Sequence, residues 1–315
     1  MSDPTPGTSR PPERPTRARA WLMATRPATL PAAVGPVLVG LAVAISLGVF
    51  EPLPALATMA VALLLQIASN VGNDLSDFRS GADNEERLGP PRAAALGLLS
   101  QREMLAGLAL IIGLVGLVGL YLVWIGGLVI LVLGIAAIVS AFAYTGGPWP
   151  YGYHGLGEVF VFIFFGLVAV AGTTYLQTLT LEPLAMVAAL PVGALITSIL
   201  VINNLRDIDT DGRAGKRTLA VRLGPQGTIV EYDLLLGAAY ATPVALVIAG
   251  DVSPAALLPL ASVPMALALR RVVRAGGDPR RLNPVLKETA RLSLVFSVLF
   301  AVGLAAIGLA VPGLV

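Results

Sequence analysis

Two short segments carry nearly all the chemistry this sequence offers. The first is Asn70-Val71-Gly72-Asn73-Asp74-Leu75-Ser76-Asp77, followed by Asp83, and the second runs from Asn203 through Asn204, Arg206, Asp207 and Asp209 to Asp211. Carboxylates next to hydrocarbon are costly and need partners. Helical spacing puts Asn70, Asp74 and Asp77 on one face, at i, i+4 and i+7, and Asn204, Asp207 and Asp211 on another, at i, i+3 and i+7. Asp209 points away from its set, Asn73 lies beside the first face, and Asp83 falls past Gly81, where the helix is expected to have ended. Such oxygen-only ligands suit Mg²⁺, which binds through a few carboxylates together with substrate phosphates. Two facing sets can hold Mg²⁺ on either side of one diphosphate, and metal there stabilises a leaving diphosphate. We take the six residues as metal ligands, with Asp74, Asp77, Asp207 and Asp211 as the catalytic carboxylates.

Basic residues follow each segment. Arg87 and Arg92 stand behind the first, and Arg206, Lys216 and Arg217 accompany the second. Arg offers a planar fork to phosphate oxygens and Lys a mobile point charge, so these five are diphosphate-binding candidates. A single Asp at a helix end is usually a solvated terminus. Two sets in helical register, each with cations behind it, form a site. Residues 144–158 are rich in Tyr, Gly and Trp, either as an interfacial aromatic belt or as an acceptor-binding surface. Glu158 either favours a helix N-terminus or touches the acceptor. The chain has no Cys and one His, which excludes thiolate and His-cluster chemistry. It also shows no nucleotide loop, Ser/His/Asp set or nucleic-acid-binding pattern.

The elements that must position these residues are membrane helices. Hydrophobic residues make up 56% and charged residues 13%, against roughly 25% charged in a soluble domain, and the mean hydropathy is +0.82. Residues 1–20, rich in Pro and Arg without an apolar core, read as a disordered cytoplasmic tail rather than a signal peptide. The rest reads as one all-α transmembrane domain, 21–315. Nine helices are expected near 28–48, 54–77, 100–121, 125–144, 155–177, 184–208, 228–249, 253–272 and 288–311. With the N-terminus in the cytoplasm, all 21 Lys and Arg fall on or near the cytoplasmic side, leaving only Glu51, Glu182 and Asp251 opposite. The positive-inside rule therefore puts both Asp-rich segments on the cytoplasmic face.

At these residues the chain resembles the UbiA-type intramembrane prenyltransferases, whose Asp-rich motifs follow the second and sixth of nine helices. It is more similar still to the 1,4-dihydroxy-2-naphthoate polyprenyltransferases of menaquinone biosynthesis. That likeness rests on Arg26 to Pro31 with Gly35-Pro36, on Asn70 to Asp83, and on Arg87-Leu88-Gly89-Pro90. It rests also on Tyr144 to Pro148, on Gly155 to Glu158 before Phe164-Phe165-Gly166, and on Asn203 to Asp207 through Gly215-Lys216-Arg217-Thr218-Leu219. The last two helices add no motif. Where the wider superfamily has a third Asp, this chain has Gly81, as the naphthoate branch does, and Asn204 stands where other branches have Asp.

The resemblance implies transfer of a polyprenyl group from polyprenyl diphosphate to 1,4-dihydroxy-2-naphthoate, with loss of CO₂ and diphosphate, giving demethylmenaquinol. It implies Mg²⁺ as cofactor, a multi-pass protein of the cell membrane, and a central cavity open to the cytoplasm and laterally to lipid. Asn73, Asp83, Tyr144, Tyr153 and Glu158 are the candidates for the acceptor or prenyl pocket. Another aromatic acceptor is the alternative. A secondary transporter is a further one, but transporter ion sites lie near the midplane, whereas these carboxylates lie at helix ends.

Overall fold

Long apolar runs, punctuated by Pro and Gly, fold as helices because a backbone in hydrocarbon must satisfy its own hydrogen bonds. The computed structural model describes residues 16–80, 88–90 and 92–310, and every regular element among them is helical. In chain order these are α1 (Arg17–Thr25), α2 (Pro31–Ser46), α3 (Pro52–Ser80), α4 (Gln101–Ala143) and α5 (Gly157–Val161). Then come α6 (Ala169–Thr178), α7 (Pro183–Arg213), α8 (Leu219–Ala249), α9 (Val263–Ala275) and α10 (Leu282–Ala310). A π-helical stretch, Phe162–Val168, joins α5 to α6 as one span.

Seven of these stretches are long and apolar enough to cross a membrane, and an eighth is formed by Arg17–Thr29 with Pro31–Ser46, bent by 49°. The 43-residue α4 would be about 65 Å long as one rod, about twice the thickness of a hydrocarbon core. Gly127, at φ 63° and ψ −149°, breaks it in a conformation that glycine tolerates. With α4 counted as two segments, the described residues hold nine apolar stretches. The break lies at Gly127, at the far edge of the Tyr121–Gly127 stretch where the boundary is expected.

Other boundaries shift for local reasons. The Thr218 side chain accepts from Val221 N at 3.3 Å, so α8 starts nine residues before the expected 228 and then breaks at Gly224. Residues 17–20, expected in the 1–20 tail, belong instead to α1, which begins at Arg17, is capped by Thr16 and buries Ala20. Residues 1–15 lie outside the described residues.

Helix α7 is the hub. In its most apolar window 72% of residues are buried, against 17% in α4, so α4 turns mostly outward and α7 inward. Val192, Leu195 and Ile202 of α7 pack in one cluster with Val39 and Val43 of α2, Tyr232 of α8, and Phe296 and Phe300 of α10. A second cluster joins Ala20 and Ala24 of α1, Val71 and Leu75 of α3, and Met104 of α4. The π-helical stretch meets α7 backbone to backbone: a Cβ on Gly166 would lie 2.8 Å from Gly193 Cα, the small-residue packing that membrane helices use.

Candidate active site

The two Asp-rich helices run further than their sequence pattern requires. Helix α3 continues past Asp77 to Ser80, and α7 continues past Ile208 to Arg213. Asn70, Asp74 and Asp77 therefore share one helical register, as do Asn204, Asp207 and Asp211. All six line one cavity of about 800 Å³. Asn73, Arg92, Tyr144, Tyr153, Arg206 and Lys216 line it too. Asp209 is exposed and off the wall, as its register predicts.

Cations interleave with the acids. Arg92, in the segment after α3, pairs through Nη1 with Asp77 Oδ2 and also donates to the Asn73 carbonyl at 3.1 Å. Lys216 Nζ lies 4.0 Å from Asp77 Oδ1 and 3.7 Å from Asp211 Oδ1. It also sits 4.7 Å from the centre of the Tyr153 ring, within cation–π range. The Tyr153 hydroxyl donates to Asp77 Oδ1 at 3.4 Å. Arg206 is buried and grips its neighbour Asp207 with Nε at 2.8 Å and Nη2 at 2.5 Å. It donates further to Asn203 Oδ1 at 2.9 Å and to Asn283 Oδ1 of α10 at 2.8 Å.

The remaining candidates divide. Asn70 donates to the Thr25 carbonyl at 3.0 Å and to Thr29 Oγ1 at 2.8 Å, tying α3 to the α1–α2 junction. Asn73 Oδ1 accepts from Thr145 Oγ1 at 2.9 Å. Glu158 is buried behind the wall rather than in it, and accepts from Asn204 Nδ2 at 2.7 Å. The neighbouring Gly157 is closely packed, since a Cβ there would lie 3.2 Å from Leu200 Cδ2 and 3.2 Å from Tyr144 Cε2. Burial, and then the charge of Glu158, push the Tyr144 hydroxyl well above its usual value of 10.0. The Arg217 side chain is exposed and is not part of the wall, while its backbone N–H donates to the Tyr153 carbonyl at 2.9 Å. Asp83 and Arg87 lie outside the described residues.

Some wall residues carried no signal in the sequence. Asn283, Leu286 and Lys287 of α10 line the cavity, although the last two helices offered no motif. Asn283 also donates to the Leu88 carbonyl at 2.9 Å, so it links α10, Arg206 and the loop after α3. Its only cue was a polar Asn-Pro pair at the foot of the final apolar run.

Away from the acids the cavity becomes apolar. Leu65, Leu122, Leu133, Phe164 and Leu176 line it, and it follows α3 from Asp77 back to Thr58, about 28 Å of helix. Tyr151 and Phe160 stack at 4.0 Å, and Phe160 and Phe164 at 6.2 Å. The π-helical turn, a form common at functional sites, carries Phe164 and Phe165 on this wall.

No three Asp, Glu or His side chains converge into a closed metal cage among the described residues. Donors spread over two helices suit a hard cation that completes its shell with water and phosphate oxygens. The fold and the site thus define a polytopic helical membrane protein whose chamber joins a charged oxygen-donor head to a long apolar body. Residues 33–295 match the model of the UbiA prenyltransferase family, and the chain belongs to that family.

The relatives agree. The chain is 41% identical to a 1,4-dihydroxy-2-naphthoate octaprenyltransferase of Mycobacterium tuberculosis, over 90% of this chain and 96% of that one. It is 39% identical to the protein of the same name from Escherichia coli, over 92% and 96%. Among solved structures, a UbiA homologue from Aeropyrum pernix superposes with a TM-score of 0.67 at 18% identity, covering 86% of this chain and 96% of that one. A homologue from Archaeoglobus fulgidus, bound to DMAPP and Mg²⁺, gives 0.62 at 14% identity, covering 94% and 100%. At these identities the structures speak for the fold.

Proposed function

We propose that this protein transfers a polyprenyl group from polyprenyl diphosphate to 1,4-dihydroxy-2-naphthoate, releasing diphosphate and CO₂ and giving demethylmenaquinol. The observation that carries the reading is Lys216, which stands between Asp77 and Asp211. It makes the two acidic helices walls of one chamber, and that chamber continues into an apolar channel. An amphiphile with an anionic head and a long hydrocarbon tail matches that shape. The names of the relatives supply the acceptor.

In this reading Asn70, Asp74, Asp77, Asn204, Asp207 and Asp211 hold Mg²⁺, which when bound neutralises charge on the departing diphosphate. Arg92 and Lys216 bind phosphate oxygens. The described ion pairs of Arg206 make it the anchor of Asp207, and Arg217 acts through its backbone. Asp83 and Arg87 stay as candidates of the loop after α3. Cleavage of the allylic C–O bond leaves a carbocation, shielded from water by the apolar wall and stabilised by aromatic ring faces such as Tyr144 and Tyr153. The electron-rich ring attacks that carbon, and the acceptor loses its carboxylate as CO₂. The tail leaves sideways into lipid.

The protein is placed in the cell membrane with its N-terminus and active site facing the cytoplasm, and 21–315 as the prenyltransferase unit. An acceptor panel tests the reading. Purified protein with Mg²⁺ and a polyprenyl diphosphate should release diphosphate and CO₂ with dihydroxynaphthoate, and not with hydroxybenzoate or homogentisate. Turnover that survives complete removal of divalent metal, or that prefers another ring, overturns it.

A further inference from the structure

Asn204 and Glu158 meet at 2.7 Å, both buried, but they are not equivalent. Asn204 lines the cavity and Glu158 does not. Asn204 Nδ2 is the donor and Glu158 Oε1 the acceptor, so the amide turns its NH₂ edge toward Glu158 and away from the chamber. Its carbonyl oxygen is then the edge presented to the chamber. Asn70 of the first motif is fixed in the same way, since its NH₂ faces the Thr25 carbonyl, which only accepts. Each set of three proposed ligands thus begins with an asparagine whose NH₂ is bound from behind.

The Glu158 contact is built at some cost. Its Oε2 is buried and makes no hydrogen bond among the described residues, and a buried carboxyl oxygen of that kind is expensive. The backbone beside it is closely packed, since a Cβ on Gly157 would lie 3.2 Å from both Leu200 Cδ2 and Tyr144 Cε2. A residue needed only for packing at this place would be apolar.

We infer that Glu158 is a positioning residue, which locks the Asn204 amide so that its Oδ1 serves as a neutral oxygen ligand for a divalent cation at the second acidic helix. The inference rests on the metal–diphosphate reading above. Groups that orient metal ligands from behind commonly contribute 10–100-fold in metal affinity. Glu158 therefore acts on the metal through Asn204 and does not touch the acceptor.

The test measures Mn²⁺ affinity by electron paramagnetic resonance, with purified full-length protein and geranyl diphosphate present, alongside thermal unfolding without metal. Glu158→Ala should weaken Mn²⁺ binding about 10–100-fold. Glu158→Gln, whose amide oxygen can still accept from Asn204, should stay within about threefold of wild type, with an unchanged KM for the acceptor. Wild-type Mn²⁺ affinity in folded Glu158→Ala overturns the inference, and so does an equal loss in folded Glu158→Gln. If Glu158→Ala does not fold, Glu158→Met, which keeps the volume but lacks an oxygen to accept from Asn204, takes its place by the same criterion. Asp74→Ala and Asp207→Ala separate the two levels. If they lose Mn²⁺ while Glu158→Ala keeps it, only the positioning role fails. If they keep it, the metal reading fails and takes this inference with it.

Discussion

Lys216 Nζ lies 4.0 Å from Asp77 Oδ1, although one residue follows α7 and the other belongs to α3. The same ammonium is 3.7 Å from Asp211, so one cation is shared by the two acidic helices. Without it, the carboxylates of Asp77 and Asp211 would lose the cation they share. With a diphosphate bound, that charge has a second role as a partner for phosphate oxygens. Lys216→Ala should raise the KM for prenyl diphosphate about 10–100-fold, where each tenfold corresponds to about 1.4 kcal/mol, and leave the KM for the acceptor near wild type. Lys216→Arg should recover part of the loss. Steady-state diphosphate release measures this, and a Lys216→Ala enzyme with an unchanged KM for prenyl diphosphate would remove Lys216 from the site.

Arg206 behaves as structure rather than as a mobile phosphate binder. Its guanidinium is engaged by Asp207, Asn203 and Asn283, and the residue is buried. Arg206 is buried while Asp207 is partly exposed, so the roughly 3–5 kcal/mol cost of breaking a fully buried pair is an upper bound. Arg206→Ala should therefore lower the apparent unfolding midpoint well below that of Lys216→Ala. Arg206→Lys should not restore it, because an ammonium cannot reproduce the bidentate fork. Equal midpoints for the two alanine variants would count against the anchoring role.

The contrast between these two cations also shows what was legible in the sequence. The acidic sets were readable because helical register is a local property: Asn70, Asp74 and Asp77 share a face whatever surrounds them. The all-helical membrane character was readable from hydropathy and punctuation, while the count was approximate. Seven or eight of the described stretches are long and apolar enough to span, and α4 runs through the expected third and fourth helices with a break at Gly127. The partner of Arg206 was not readable. Residues i and i+1 do not normally face each other on a helix, and Arg206 reaches Asp207 because α10 packs against α7 and brings Asn283 alongside. Asn283 itself was invisible for the same reason, as its role exists only once α10 closes the bundle. Glu158 stood out in the sequence, but its place behind Asn204 exists only once α5 packs against α7.

Packing glycines give a prediction independent of the chemistry. A Cβ on Gly303 of α10 would lie 2.2 Å from the backbone oxygen of Ala255, whereas one on Gly116 of α4 meets nothing within 4 Å. Overpacking a filled contact typically costs about 1–3 kcal/mol, and the clash at Gly303 is with backbone rather than with a yielding side chain. Gly303→Ala should lower the apparent unfolding midpoint and yield. Gly116→Ala should leave both unchanged or raise the midpoint, since Ala favours a helix by up to about 1 kcal/mol over Gly. A stable Gly303→Ala protein would mean that α10 does not approach Ala255 this closely.

Tyr144 is held as a neutral phenol. Burial first, and then the charges of Glu158 and Asp211, raise its pKa well above 10.0, so the side chain stays a neutral hydroxyl through the physiological range. It can present a ring face to a carbocation but cannot act as a base. Tyr144→Phe should therefore leave the apparent pKa values of the kcat/KM profile between pH 6 and 9 unchanged, while lowering its height by no more than about tenfold. The sign for stability follows from the same shift. The neutral form is favoured in the folded protein, so this contribution is fully present below about pH 10. It is lost as pH rises, because the unfolded chain then ionises while the folded one resists. The Tyr144→Phe protein should lose less stability than wild type between pH 8 and pH 10.5 in thermal unfolding. A limb of the rate profile that vanishes in Tyr144→Phe would instead show the phenol titrating in the working enzyme, and would reassign it as the group that deprotonates the acceptor.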